Sequence, residues 1–145
     1  MGNLNTNFRP VMKLGRWELT MQQMKESVAM EEGAALYTDL AGESTIGTSS
    51  TTNFRGILAK AIAATDADYA VAKKMKPVWV PKSLEAEAEF AVGAGTFTNA
   101  DVGKTVVLNN SVSVAVDTAG VQIRITKYTS STRGVCVFSP AFSQT

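Results

Sequence analysis

The sequence predicts a mainly β protein, a small antiparallel β-barrel or sandwich with an extended N-terminal arm and at most one or two short helices. Three observations carry this. Leu84, Ala86, Ala88, Phe90 and Val92 alternate with Glu85, Glu87 and Glu89, the period-two pattern of a half-buried strand. From there to Phe138, short β-branched runs are separated by turn residues. Residues 1–16 (MGNLNTNFRPVMKLGR) sustain neither a helical nor an alternating period.

Taken in order, residues 1–16 read as an extended arm. Its apolar side chains, Leu4, Phe8, Val11, Met12 and Leu14, are too isolated to offset the entropy of ordering the segment alone. The arm is either a frayed terminus or a segment that orders on a neighbouring subunit. Residues 17–80 read as a mixed, β-rich segment. Trp17-Glu-Leu-Thr-Met21 alternates and predicts a short strand. Residues 21–30 stay open between a helix stopped at Gly33 and strands turned at Glu31–Gly33. A Gly/Ser/Thr-rich stretch then predicts a mobile loop over 41–53. Residues 54–64 again allow helix or strand. Thr65, followed by Asp66 and Asp68, predicts a short helical turn toward Lys74. Pro77 and Pro81 bracket Val78–Val80 and predict a short strand that either sits at an edge or ends at both prolines, because proline cannot donate to a ladder.

Residues 81–139 read as the compact antiparallel barrel or sandwich, with 140–145 as a C-terminal tail. A capped turn is expected at Thr98–Gly103. Strands are expected at 105–108, 112–116, 121–128 and 134–138, with turns at Asn109–Asn110, Asp117–Gly120 and Thr129–Arg133. The expected core is Val106, Leu108, Val112, Val114, Val116, Val121, Ile123, Ile125, Val135, Val137 and Phe138.

Composition removes much chemistry. The 145 residues carry 14 Lys and Arg against 13 Asp and Glu, too even a balance for a dedicated nucleic-acid binder. There is no histidine, which excludes His-based triads, His–Cys zinc sites and a histidine general base within the chain. The single cysteine, Cys136, excludes an internal disulfide; amid Val135, Val137 and Phe138 it reads as a buried, inert thiol. No apolar run approaches the roughly 20 residues of a bilayer span. Met1–Pro10 carries no hydrophobic signal core, so no secretion signal is expected.

Gly103-Lys104-Thr105 superficially suggests a phosphate loop. The position that requires the leading glycine holds Thr98, however, and a strand-like rather than helical run follows. Glu85, Glu87 and Glu89 share a strand face at roughly 6.5 Å spacing. That scale suits glycosidase or calcium chemistry, but no cleft or loop carbonyls accompany it. A solvated acidic face, or one paired with a neighbour's Lys or Arg, is the reading preferred. Lys73, Lys74 and Lys76 read as a solvated basic face. No catalytic residues, metal site or cofactor are expected.

One resemblance gives these features a context. Thr65-Asp-Ala-Asp-Tyr69, Met75-Lys-Pro-Val-Trp-Val-Pro81, LEAEAEFAVGAGTFTNADVGKTVVLNN, SVAVDTAG and VQIRITKYTSSTRGVCVF occur in that order over residues 65–138. Together they resemble the small capsid decoration (cement, or head-stabilising) proteins of tailed bacteriophages. The resemblance implies a non-enzymatic virion component on the outer surface of the capsid, made in the bacterial host cytoplasm. Its partners would be the major capsid protein and itself, as a trimer before a dimer, with no nucleic acid, membrane or cofactor. On that reading Leu4, Phe8, Val11 and Met12 are expected as arm anchors, and Trp17 and Trp79 as further interface residues. Two alternatives stay open: another phage structural subunit (tail or head–tail connector), and a carbohydrate-binding module using Trp17, Tyr69, Trp79 and Tyr128.

Overall fold

In the computed structural model, residues 7–13 and 15–138 are described. The protein is mainly β, with two sheets and a single 3-10 turn among those residues. Among the described residues there are eleven strands: β1 (Arg9–Pro10), β2 (Trp17–Gln23), β3 (Ala35–Thr38), β4 (Ser44–Ile46), β5 (Phe54–Leu58), β6 (Met75–Pro81), β7 (Glu87–Ala94), β8 (Thr105–Asn110), β9 (Ser113–Ala119), β10 (Ile123–Ser130) and β11 (Arg133–Phe138).

The C-terminal strands form a barrel. β7 pairs with β11, β11 with β10, β10 with β8 and β8 with β9, all antiparallel. The other edge of β7 is shared. β1 takes Glu89 and Ala88, while β9 takes Val92 and Ala94 in parallel, and this pairing closes the ring. Along β7 the alternation read from sequence holds from Glu87 to Phe90, with Ala88 and Phe90 buried, and then breaks, since Ala91 is buried and Val92 only half-buried; the buried Ala86 and the exposed Leu84 precede the strand. The turn at Thr98 is a capping box, with Thr98 accepting from Ala100 N and Asp101 accepting from Thr98 N at 2.9 Å. Of the expected core, Val121 is exposed, and Val112 and Val135 are only half-buried.

Strands β2–β6 form the second sheet, in the order β2-β6-β5-β3-β4. The end of β2 bends back to β4 through a parallel bridge between Met24 and Ser44, so this sheet also curls toward closure. Inside it lies one core, built on Met24, Met30, Leu36, Leu58, Ile62 and Val78. Its outer face supplies Trp17, Ala35, Tyr37, Phe54 and Ile57 to the barrel's core. Aromatic rings join the parts. Phe54 of β5 stacks on Phe138 of β11 with centroids 3.9 Å apart, and Phe8 of the arm packs on Phe138 at 5.0 Å.

Residues 21–30 and 54–64, open between helix and strand in the sequence, are strand and loop. Several other expectations are corrected. Residues 63–71 form separate turns, each closed by a bond to the residue three back, in place of a short helix. β6 is not an edge strand: it lies between β2 and β5. Its prolines are tolerated because β5 pairs only with Val78 and Trp79. The Pro77 carbonyl accepts from Ala59 N, so the side lacking an N–H faces β5 beyond that short pairing, and the ladder to β2 is untouched.

The stretch 41–53 is more than a loop. It contains β4, and Gln122 of the barrel clamps its remainder, donating from Nε2 to Thr48 O and Thr51 O, both at 2.8 Å. The same Gln122 accepts from the buried Leu108 N–H at 2.8 Å. Gln122→Ala should therefore cost about 1–3 kcal/mol, since it strands a buried donor, and should open residues 48–51 to proteolysis. Urea denaturation and limited digestion measure the two effects.

The arm is corrected most. From Asn7 onward it is bound to its own molecule. Asn7 Nδ2 donates to Glu32 O at 2.7 Å, β1 pairs with β7, and Val11 N donates to Glu87 O at 2.9 Å. Arg9 Nη2 meets Glu89 Oε1 at 2.6 Å.

Candidate interaction surface

The six residues expected at an interface fall in different places. Leu4 lies outside the described residues. Phe8 is buried in the chain's own core, so it is not free to anchor on a neighbour. Trp17 is likewise covered, and its Nε1 donates to Glu87 O at 2.9 Å, tying β2 to the barrel. Val11 is half-buried and Met12 is exposed. Trp79 is half-buried against the barrel's core.

The structure brings Trp79 together with residues that sequence reasoning passed over. β2 and β6 pair with Trp17 opposite Pro81, Leu19 opposite Trp79, Met21 opposite Pro77 and Gln23 opposite Met75. These side chains share the sheet's outer face. The barrel covers the Trp17 end of that face and leaves the rest open. Leu19 is 50% exposed, Met21 57% and Met75 49%. The result is an apolar strip, Leu19–Trp79–Met21–Pro77–Met75, on the outermost strand pair. Scattered apolar side chains need no explanation, whereas a contiguous strip is a candidate contact face. The signal was present in the alternation of Trp17, Leu19 and Met21. Which part of the face stays uncovered depends on where the barrel lands.

The polar clusters are occupied structurally. Glu85 pairs with Arg16 at 2.9 Å, Glu87 accepts from Thr126 Oγ1 at 3.0 Å, and Glu89 takes both Arg9 and Arg133. The acidic face is thus paired within the chain. Burial alone would raise the Glu89 carboxyl, but the hydrogen bonds from the two guanidinium groups outweigh it and hold it below the ordinary value of 4.5. A depressed folded value means that the stabilisation is complete above the unfolded value and is lost as pH falls. The melting temperature should therefore drop between about pH 5 and pH 3, and less steeply in Arg9→Gln. A thermal melt series measures this, and parallel slopes for the two proteins would contradict it.

The basic run is a solvated face only at Lys73, which is exposed. Lys74 is buried, its Nζ donates to Tyr69 O at 2.8 Å, and Lys76 pairs with Asp68 at 2.7 Å. Lys104, of the discarded phosphate-loop string, pairs with Asp101 at 2.9 Å. Burial pushes the Cys136 thiol well above its ordinary value, with Glu87 adding to the shift, so thiolate chemistry is suppressed. Among the described residues, no three His, Cys, Asp or Glu side chains gather to hold a metal. Of the four aromatic residues considered for a sugar platform, three are engaged elsewhere: Trp17 is buried, Tyr128 packs on Phe97 at 5.0 Å, and Tyr69 packs against the second core, while Trp79 is half-buried in the strip.

No protein-family model, curated protein sequence or solved structure matches the chain.

Proposed function

We propose that the chain is a non-enzymatic structural protein that works by adhesion, as a decoration or cement subunit binding the major capsid protein on the outside of a bacteriophage head. The observation that carries this reading is the apolar strip Leu19–Trp79–Met21–Pro77–Met75, presented on a β body stiffened by two cores. A rigid body with an apolar contact face binds a shell at low entropic cost, because little of it has to order on docking. The ordered polar clusters support the same reading, since their charges are spent on internal pairs and none converges on a reacting atom. The chain's order of motifs over residues 65–138 and its near-neutral charge are consistent with many copies packed side by side.

The arm's part in this reading shrinks to residues 1–6 and the exposed Met12, because residues 7–11 hold the chain's own fold. The test is binding of the purified chain to heads that lack it, scored by co-sedimentation. Met75→Glu changes an exposed side chain and should weaken occupancy at least about tenfold, the effect of roughly 1.4 kcal/mol. Deleting residues 2–6 isolates any contribution of Leu4. If the wild-type chain leaves the heads bare, or if Met75→Glu binds as well as wild type, the reading fails.

A further inference from the structure

We infer that β2 is a self-pairing edge: two copies of this chain join antiparallel across a two-fold axis centred on Thr20, extending the second sheet from one molecule into the next. This goes beyond the decoration reading and does not rest on it.

Among the described strands, β2 is paired along one edge, to β6. In an antiparallel strand, alternate residues turn N–H and C=O to the same side. The even-numbered residues of β2 face β6, as the flanking bonds Lys82 N to Arg16 O and Met24 N to Lys74 O show. Leu19 and Met21 therefore turn their backbone groups outward. No other described strand pairs with that edge between Glu18 and Gln22. The window is bounded at both ends. Trp17 passes under the barrel, and beyond Gln23 the edge is taken by β4, with Lys25 N donating to Ser44 O at 3.0 Å. The centre of the window is Thr20.

Open edges are normally protected by proline, a bulge or an inward charge. This one has none of these: β2 pairs with β6 in unbroken register, and the window reads Glu-Leu-Thr-Met-Gln. Its one charge, Glu18, is met by Lys82 at 3.2 Å.

A two-fold at Thr20 makes the window complementary to itself. Leu19 lies opposite Met21 of the second copy, and each such pair exchanges both backbone bonds. Leu19 and Met21 side chains then meet across the junction on the apolar face. Thr20 faces its own copy, a favourable cross-strand pair, and Glu18 faces Gln22 rather than another acid. A window of five residues spans about 17 Å. The contact is thus well below the roughly 800 Å² per partner of a standard interface, which makes a weak dimer in free solution. It would tighten wherever copies are held side by side. The apolar face of the strip stays available to a further partner while the edge is paired.

Sedimentation equilibrium of the full chain up to 1 mM tests this. A monomer–dimer equilibrium with a dissociation constant between about 10 µM and 1 mM is expected. Met21→Pro removes an outward donor and the Met21 side chain from the junction while leaving the β2–β6 bonds in place, and should weaken it at least about tenfold, with the fold checked by circular dichroism. Thr20→Cys gives an independent readout. Directly opposed residues that do not exchange bonds lie at a Cα separation of about 4.5 Å, within disulfide range, and Cys136 is too buried to compete. Mild oxidation should therefore link Thr20→Cys into dimers and leave Glu18→Cys monomeric. A chain that stays monomeric at 1 mM overturns the proposal. A dimer indifferent to Met21→Pro, or a Thr20→Cys protein that does not cross-link, overturns it equally.

Discussion

Replacing Phe138 with alanine should lower stability by about 3–5 kcal/mol, because one side chain joins three segments distant in sequence. Phe138 is 2% exposed, stacks on Phe54 with an interplanar angle of 5° and packs on Phe8 at 60°. Its removal leaves a cavity where the arm, the barrel and the second sheet meet, a place that cannot collapse without moving all three. A domain's whole margin is about 5–15 kcal/mol, so this single change should approach the threshold of folding. Phe138→Leu keeps most of the volume and should cost clearly less. The midpoint of urea denaturation measures both. An alanine variant within about 1 kcal/mol of the parent would show that the ring cluster does not hold the parts together.

The second large effect is expected at Gly56. Its φ of +145° is a conformation that side chains rarely adopt, and an added Cβ would lie 2.4 Å from the Trp79 carbonyl oxygen and 2.6 Å from Val78 Cγ1. It sits where the β3–β5 register slips between Leu36 and Tyr37, and there β5 comes close against β6. Gly56→Ala combines backbone strain with a clash against main chain and should cost at least about 3 kcal/mol. Because the atom struck belongs to Trp79, the displacement passes directly to the apolar strip. Tryptophan fluorescence should change along with the melting temperature. A variant that melts like the parent would contradict the close approach.

Legibility in the sequence followed the number of faces each strand buries. β7 was readable because one face packs in the barrel while the other carries Glu87 and Glu89. β3 was legible only as one of two alternatives, since Ala35 and Tyr37 enter one core and Leu36 the other, leaving an unbroken apolar run with no period. β5 was hidden differently: the register slip places Phe54 and Ile57 on the same side and destroys the alternation that would have announced a strand. At β6, proline chemistry was read rightly but the neighbour was not foreseen, because how far β5 reaches along β6 is a property of pairing and not of either segment.

The surface followed the same logic. Trp79 was picked out for its size, and its partners Leu19, Met21 and Met75 were missed, because cross-strand neighbours are far apart in the chain. Phe8 was read as an anchor for another molecule because a lone aromatic in a polar stretch carries no sign of which molecule will cover it. The short β1 pairing with β7 supplies that answer in three dimensions. Lys74 was read as solvated for a similar reason: its ammonium is satisfied by the carbonyl of Tyr69, an acceptor that composition does not reveal.

Adhesion to a shell can be checked by electron cryomicroscopy of particles assembled by the genome that encodes this chain. It predicts the chain on the outer surface, in copies that scale with the major capsid protein, with the Leu19–Met75 face turned toward that lattice. Mature particles without the chain, or with it confined to a single vertex or to the tail, would contradict the claim.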